Sequence, residues 1–323
     1  MRVLPIEVEN SCGRILCSTI FKSDGQKLLA RGHLLSDQSV RLLAMEGMRE
    51  VWVTELEEGE VSEDETVMAV AQAMCCGCVE IRLAPGGRAN LTATEDCCVL
   101  VNYELLEQIN ATSTATIATV QNYKFVRAGE RVATVKSAPF AVAQNQLAAT
   151  LSFLNEWDGI LQARPLCRPA IGALYTDPVQ GERARTSFDQ TLRARFERYK
   201  PRRIFSFSCV EEEELIFRTL QQLIAQKPSL ILIASTTTLV GPEDGVGRAV
   251  TRLGGQLERF LAPVEPGSLM MLSYKDDLPI VSAPGCYRSL KPNILDLILP
   301  PLLSNHRMTD RDIARLGLGG LLS

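Results

Sequence analysis

The chain carries one stretch in which hydroxyls, an acid and a helix start follow a buried-strand run: Ile231-Leu-Ile-Ala-Ser235-Thr-Thr-Thr238-Leu-Val-Gly-Pro-Glu-Asp244-Gly245. Val246, Ala249, Val250 and Leu253 then recur at helical spacing. Such a strand-loop-helix turn offers an anion backbone N–H groups, the hydroxyls of Ser235, Thr236, Thr237 and Thr238, and the positive end of a helix. A phosphorylated ligand is expected there. Two other loops follow strand-like runs, Tyr175-Thr176-Asp177 and Ala283-Pro284-Gly285-Cys286. Ligands of open α/β sheets sit outside the carboxyl ends of the strands, so Thr236, Thr237, Thr238, Asp244, Pro284 and Gly285 are expected to line one cleft, with Thr176 also binding ligand. Gly285 lets a ligand approach the backbone, and Arg288 and Lys291 balance its charge. Asp244 either caps its helix or holds a magnesium ion.

Other chemistries fit poorly. There are only two histidines, His33 and His306, and a Ser-His-Asp or Cys-His system would have to use one of them. No GxSxG, GxxxxGK[ST] or HExxH occurs. Gly245-Val-Gly247 lacks the third glycine of a dinucleotide fingerprint. The cysteines of Cys75-Cys76-Gly77-Cys78 and Cys97-Cys98 lack the paired CxxC spacing of a zinc site and are expected to be small buried thiols.

The elements that must position these loops follow from periodicity. From Pro169 onward strands and helices alternate: a strand over Ala170–Tyr175, a helix from Ser187 to Tyr199, a strand over Arg203–Phe207, a strand over Leu230–Ala234 and a late strand over Pro279–Ala283. Ser208 and Glu211 form an expected capping box, with the Glu211–Glu214 acids in that helix's first turn. A last long helix carries Leu290, Ile294, Leu297 and Ile298 and is expected to stop at Pro300-Pro301. Alternation of this kind implies a mainly parallel sheet covered on both faces.

The first half is different. Ser36 caps a helix that Gly47 ends, and Ser62 with Glu65 forms a capping box for a second. Short alternating runs such as Thr114–Val120 and Glu130–Lys136 read as β-structure, and Ala141–Leu161 reads as a linking helix. The expected fold is therefore α/β: a three-layer α/β/α domain over 165–303, preceded by a β-rich α+β region with short helices over 1–160 and followed by a tail over 304–323.

A length of 323 residues suits about two domains. With 46% apolar and 22% charged residues the composition is that of an ordinary globular protein. A net charge of −4 argues against a nucleic-acid binder. No apolar run approaches the roughly 20 residues of a membrane span, and Met1–Glu7 lacks a secretory h-region, so a cytoplasmic protein with no membrane partner is expected.

The stretch Ser235–Asp244, read with Ala283-Pro284-Gly285, resembles the molybdopterin-binding (MoeA/MogA-like) domain of molybdenum-cofactor biosynthesis proteins, over about Pro169–Pro301. That family carries a Thr/Ser-Gly-Gly-x-Ser/Thr-Gly-x-x-Asp signature and a Pro-Gly-Asn-Pro loop. Here Thr236-Thr237 stands in place of the glycine pair, and Cys286-Tyr287 in place of Asn-Pro. Gly13-Arg-Ile-Leu-Cys17, Arg31-Gly32-His33-Leu34 and Gly87-Arg88-Ala-Asn90-Leu-Thr-Ala93 resemble a prokaryotic group of stand-alone molybdopterin-binding proteins. The resemblance implies binding of molybdopterin or its nucleotide form in molybdenum cofactor biosynthesis. It also implies a catalytic, metal-holding Asp244 with magnesium as the accompanying ion. If the chain is an enzyme, the implied activity is adenylyl- or molybdate-transferase-like. The other reading is a non-catalytic pterin carrier or a regulatory scaffold. A homo-oligomer is compatible with either.

Overall fold

The computed structural model describes residues 2–322 except 113, 138–139, 157–158, 180 and 237–240. The chain divides into two compact units. One is Met1–Asn122 with Val126–Arg164, and the other is Tyr123–Phe125 with Pro165–Ser323.

In the first unit, Arg2–Glu7 and Ile15–Leu16 pair antiparallel with Glu50–Glu55. The helix Asp37–Met45 is capped by Ser36, whose hydroxyl accepts from Ser39 N. Gly47, just past its end, has a φ of 74°, a left-handed stop that glycine adopts without strain. The helix Glu63–Met74 starts on the expected Ser62/Glu65 capping box. Its Val67, Val70, Ala71 and Met74 belong to one core with the strands Arg88–Ala93 and Arg131–Ser137 of a four-stranded antiparallel sheet. The linking helix is shorter than expected, spanning Gln144–Asn155. Ala141–Ala143 instead forms a strand against Glu60–Ser62, and Leu161–Pro165 forms another. Chain pairing overrides the helical periodicity of those ends. All ten cysteines are free thiols; Cys97 and Cys98 are buried as expected, whereas Cys76 is exposed.

The second unit is built on strands β1 (Ala170–Thr176), β2 (Arg203–Cys209), β3 (Leu230–Ser235), β4 (Gln256–Phe260), β5 (Met271–Lys275) and β6 (Leu278–Ser282). Its helices are α1 (Glu182–Phe196), α2 (Glu213–Ala225), α3 (Gly245–Arg252), α4 (Ile294–Leu303) and α5 (Asp310–Arg315). The strands form one sheet in the order β2-β1-β3-β6-β5-β4. The first four are parallel, and β5 and β4 complete the sheet antiparallel. All seven residues of β1 are buried, the continuous apolar pattern of a strand covered on both faces. Leu174, Ile231, Ile233 and Ile280 face α2 and α3 in one core. Tyr175, the next residue along β1, points the other way and stacks on Phe188 of α1 with ring centroids 4.9 Å apart. The unit is thus a three-layer α/β/α sandwich.

Three local expectations fail here. Helix α1 begins at Glu182, ahead of Ser187, because its polar first turn has no apolar periodicity to betray it. Helix α2 begins at Glu213 with no side-chain cap, so the Ser208/Glu211 capping box is not formed. Glu211 is drawn to β3 instead, where its Oε1 accepts from the Ser235 hydroxyl at 2.8 Å. Pro300 and Pro301 lie inside α4 rather than ending it. They remove two N–H donors, a cost of about 3 kcal/mol or more in a helix interior. The burial of Ile294, Leu295, Ile298, Leu299, Leu302 and Leu303 holds the helix through them. Residues beyond 304 fold within the second unit: Thr309 and Asp312 make a capping box for α5, and Glu265 bridges to Leu321.

Candidate functional site

Sheet topology selects one edge. From β1 the chain crosses to β2 on one side, whereas from β3 it proceeds toward β6 and β4 on the other. The carboxyl ends of β1 and β3 therefore flank a topological switch point, the place where open α/β sheets leave a crevice. A small cavity of about 70 Å³ lies there. Tyr175 and Ser235 reach it from β1 and β3, Phe188 from α1, and Pro284, Gly285 and Arg288 from the loop after β6. Segments far apart in sequence meet because all three loops leave one edge.

The cavity has an aromatic wall. Phe188 sits between Tyr175 and Tyr287, 4.9 Å and 5.6 Å away by ring centroids. The Tyr287 hydroxyl donates to the Phe188 carbonyl at 3.2 Å. Burial pushes the Tyr287 and Tyr175 hydroxyls above the usual phenol range, and for Tyr175 the Asp177 carboxylate adds to this while Arg288 opposes it. Both phenols are neutral donors at physiological pH. Asp177 is itself buried and shapes the loop after β1, accepting from Val179 N at 3.0 Å and Gly181 N at 3.3 Å. Arg288 is exposed at the end of the short turn Gly285–Arg288, so its charge stands at the mouth.

A cavity of this volume holds a few water molecules rather than a bicyclic ring. The space beyond Gly285 is open: a Cβ added there meets nothing within 4 Å. A larger ligand would use that opening.

A second feature marks the same edge. The hydroxyls of Thr176, Thr236 and Ser282 are buried with no hydrogen-bond partner among the described residues. Thr176 and Ser282 are both 0% exposed. By strand alternation with Leu174 and Ile280 they face the α2–α3 side, at the ends of β1 and β6, with β3 between them. Leaving such a group unpaired costs about 1–3 kcal/mol.

Of the residues expected to bind ligand, Ser235, Pro284, Gly285 and Arg288 meet in the cavity. Thr176, Thr236 and Asp244 do not line it. Thr237 and Thr238 lie outside the described residues. Asp244 takes the role of helix cap: its Oδ1 accepts from Val246 N at 3.0 Å and Gly247 N at 2.9 Å. Gly247 permits this turn, since a Cβ there would collide with the Pro242 carbonyl. The Asp244 carboxylate sits at the N-terminus of α3. It is engaged by the helix, and among the described residues no group of three or more His, Cys, Asp or Glu gathers as a metal site. Sequence reasoning missed Tyr175, Phe188 and Tyr287 as a wall. Phe188 was legible only as one residue of a helix face.

No family model and no curated protein matches the chain. Among solved structures it is similar to a molybdenum cofactor biosynthesis protein from Pyrococcus furiosus, at 13% identity and a TM-score of 0.27, covering 94% of this chain and 64% of that one. It is also similar to a molybdopterin biosynthesis MoeA protein from Pyrococcus horikosii, at 10% identity and a TM-score of 0.33, covering 97% of this chain and 75% of that one. The chain thus spans less than two thirds of the first of these proteins. Likenesses this distant carry no functional argument. Among the described residues no helix is long and apolar enough to cross a membrane.

Proposed function

We propose that the chain binds molybdopterin or its nucleotide form at the carboxyl edge of the six-stranded sheet and serves molybdenum cofactor assembly. The observation that carries this reading is the cavity at the switch point, where Ser235 of β3 meets Pro284, Gly285 and Arg288 of the loop after β6. A phosphate accepts from a hydroxyl such as that of Ser187 at the cavity, and a pterin edge both donates and accepts. Arg288 offsets the ligand's charge, and the aromatic wall suits a planar ring. The ligand class itself comes from the sequence resemblance.

The carrier reading, binding without catalysis, is favoured over an enzyme by two observations. The Asp244 carboxylate is engaged as a helix cap. Among the described residues, those lining the cavity include no carboxylate, imidazole or thiol to act as base or nucleophile.

Isothermal titration of molybdopterin under anaerobic, reducing conditions, with and without magnesium, tests both points. Arg288→Gln removes the charge at the cavity mouth and is expected to weaken binding about tenfold. Asp244→Asn keeps a good cap and is expected to bind as the parent does in either condition. A loss confined to magnesium-containing buffer would return Asp244 to a metal-mediated role. Absence of binding by the parent protein would remove the proposal.

A further inference from the structure

The opposite edge of the same sheet holds a larger cavity, of about 320 Å³. Its apolar floor is Tyr274, Pro279 and Leu302, all buried. Its polar rim includes Ser229, Asp277 and Arg307. The volume lies within the range of small-molecule sites, and an apolar body with a few placed polar groups is their usual make-up.

The rim carries a strong donor in Arg307. The Arg307 guanidinium lies 4.0 Å over the Tyr274 ring, which fixes its plane. One of its nitrogens donates to the Asp276 carbonyl at 3.0 Å. Its ionic partner, Asp277, is fully exposed and 3.9 Å away, a loose contact that water screens. A fork held flat by an aromatic ring and only weakly paired is suited to take a bidentate oxyanion. The Tyr274 hydroxyl is not available to a ligand, because it donates to Met308 O and accepts from Met308 N. The Tyr274 side chain thus offers only its ring. Ser229 accepts from Ala170 N, which leaves its hydroxyl proton to donate.

The geometry points to a second ligand site here, for a compact ring-bearing oxyanion whose carboxylate or phosphate pairs with Arg307 and whose ring covers Tyr274, Pro279 and Leu302. This site is independent of the carboxyl-edge proposal and uses none of its residues.

Titration of phenyl phosphate, benzoate and inorganic phosphate into the full chain tests it. At least one of the two ring anions binds about tenfold or more tightly than inorganic phosphate, since only they bury apolar surface. The tighter of the two identifies the oxyanion as phosphate or carboxylate. Arg307→Gln weakens that binding about tenfold or more, whereas Arg288→Gln at the other edge leaves it within about twofold. Asp277→Ala removes a competitor from a fully exposed position that folding does not need, and tightens binding by about threefold. The inference is overturned if neither ring anion outbinds inorganic phosphate, if Arg288→Gln carries the loss, or if Asp277→Ala weakens binding.

Discussion

At the amino edge of the sheet the Tyr274 hydroxyl is used twice, donating to Met308 O at 3.1 Å and accepting from Met308 N at 2.9 Å. At the carboxyl edge the hydroxyls of Thr176, Thr236 and Ser282 are buried with no partner among the described residues. Both sets belong to one unit and sit at the ends of neighbouring strands. The first edge ties its tyrosine hydroxyl into the fold and shows a ligand the Arg307 guanidinium and the Ser229 hydroxyl. The second keeps hydrogen-bonding capacity in reserve, at the switch point where the connections diverge. Burial alone therefore does not distinguish a structural hydroxyl from a binding one. Nor does the state of its hydrogen bonds by itself, since the hydroxyls of Thr66 and Tyr199 are also buried with no partner among the described residues, away from this edge.

The largest expected effect is on the backbone that frames the carboxyl edge. Gly247→Ala places a methyl group against the Pro242 carbonyl, a clash with backbone that cannot rotate away. We expect a loss of about 3 kcal/mol, read from the denaturant midpoint. A loss below about 0.5 kcal/mol would show that the loop before α3 yields easily.

Removing a hydroxyl at each edge gives opposite signs. Tyr274→Phe strands the Met308 N–H and carbonyl, and is expected to cost about 2 kcal/mol. The same residue predicts a pH dependence. Burial pushes the Tyr274 and Tyr199 hydroxyls up to about 12, against about 10 in the unfolded chain. Their folded-state values are raised, so the unfolded state loses its protons first. The stability they contribute is complete below about pH 10 and is lost as pH rises through about 12. Chemical unfolding across that window should show the decline, with a shallower slope in Tyr274→Phe. An unchanged slope would separate this hydroxyl from the alkaline transition.

The smallest effect carries the sharpest test of the comparison. Thr176→Val replaces an unpartnered buried hydroxyl by a methyl of similar size, and is expected to stabilise the protein by about 1 kcal/mol. Thermal unfolding would register it as a small rise in midpoint. A fall would mean that the hydroxyl has a structural partner and that the two edges do not differ in kind.

Local signals carried much of the architecture. Ser36 and the Ser62/Glu65 box start their helices as their spacing requires, because a cap is satisfied within four residues of chain. The apolar runs of β1 and β3 announced a buried parallel sheet, since only strands covered on both faces lack alternation. The rule that ligand loops leave one edge anticipated Pro284 and Gly285 in one cavity, whereas Thr236 and Asp244, expected with them, do not line it. Tertiary structure decided the rest. Glu211 looked like a cap by spacing, but β3 brought the Ser235 hydroxyl within 2.8 Å of it. Pro300 and Pro301 looked like a stop, but a helix buried on nearly every side runs through them. Asp244 could be placed at a helix start from sequence, and only the two N–H groups it accepts from made it a cap. The aromatic wall of Tyr175, Phe188 and Tyr287 arises from three elements with no sequence proximity. Spacing along a chain reports what a residue can reach within its own turn or strand, whereas a partner across the sheet is set by which strands become neighbours, and that follows from the fold as a whole.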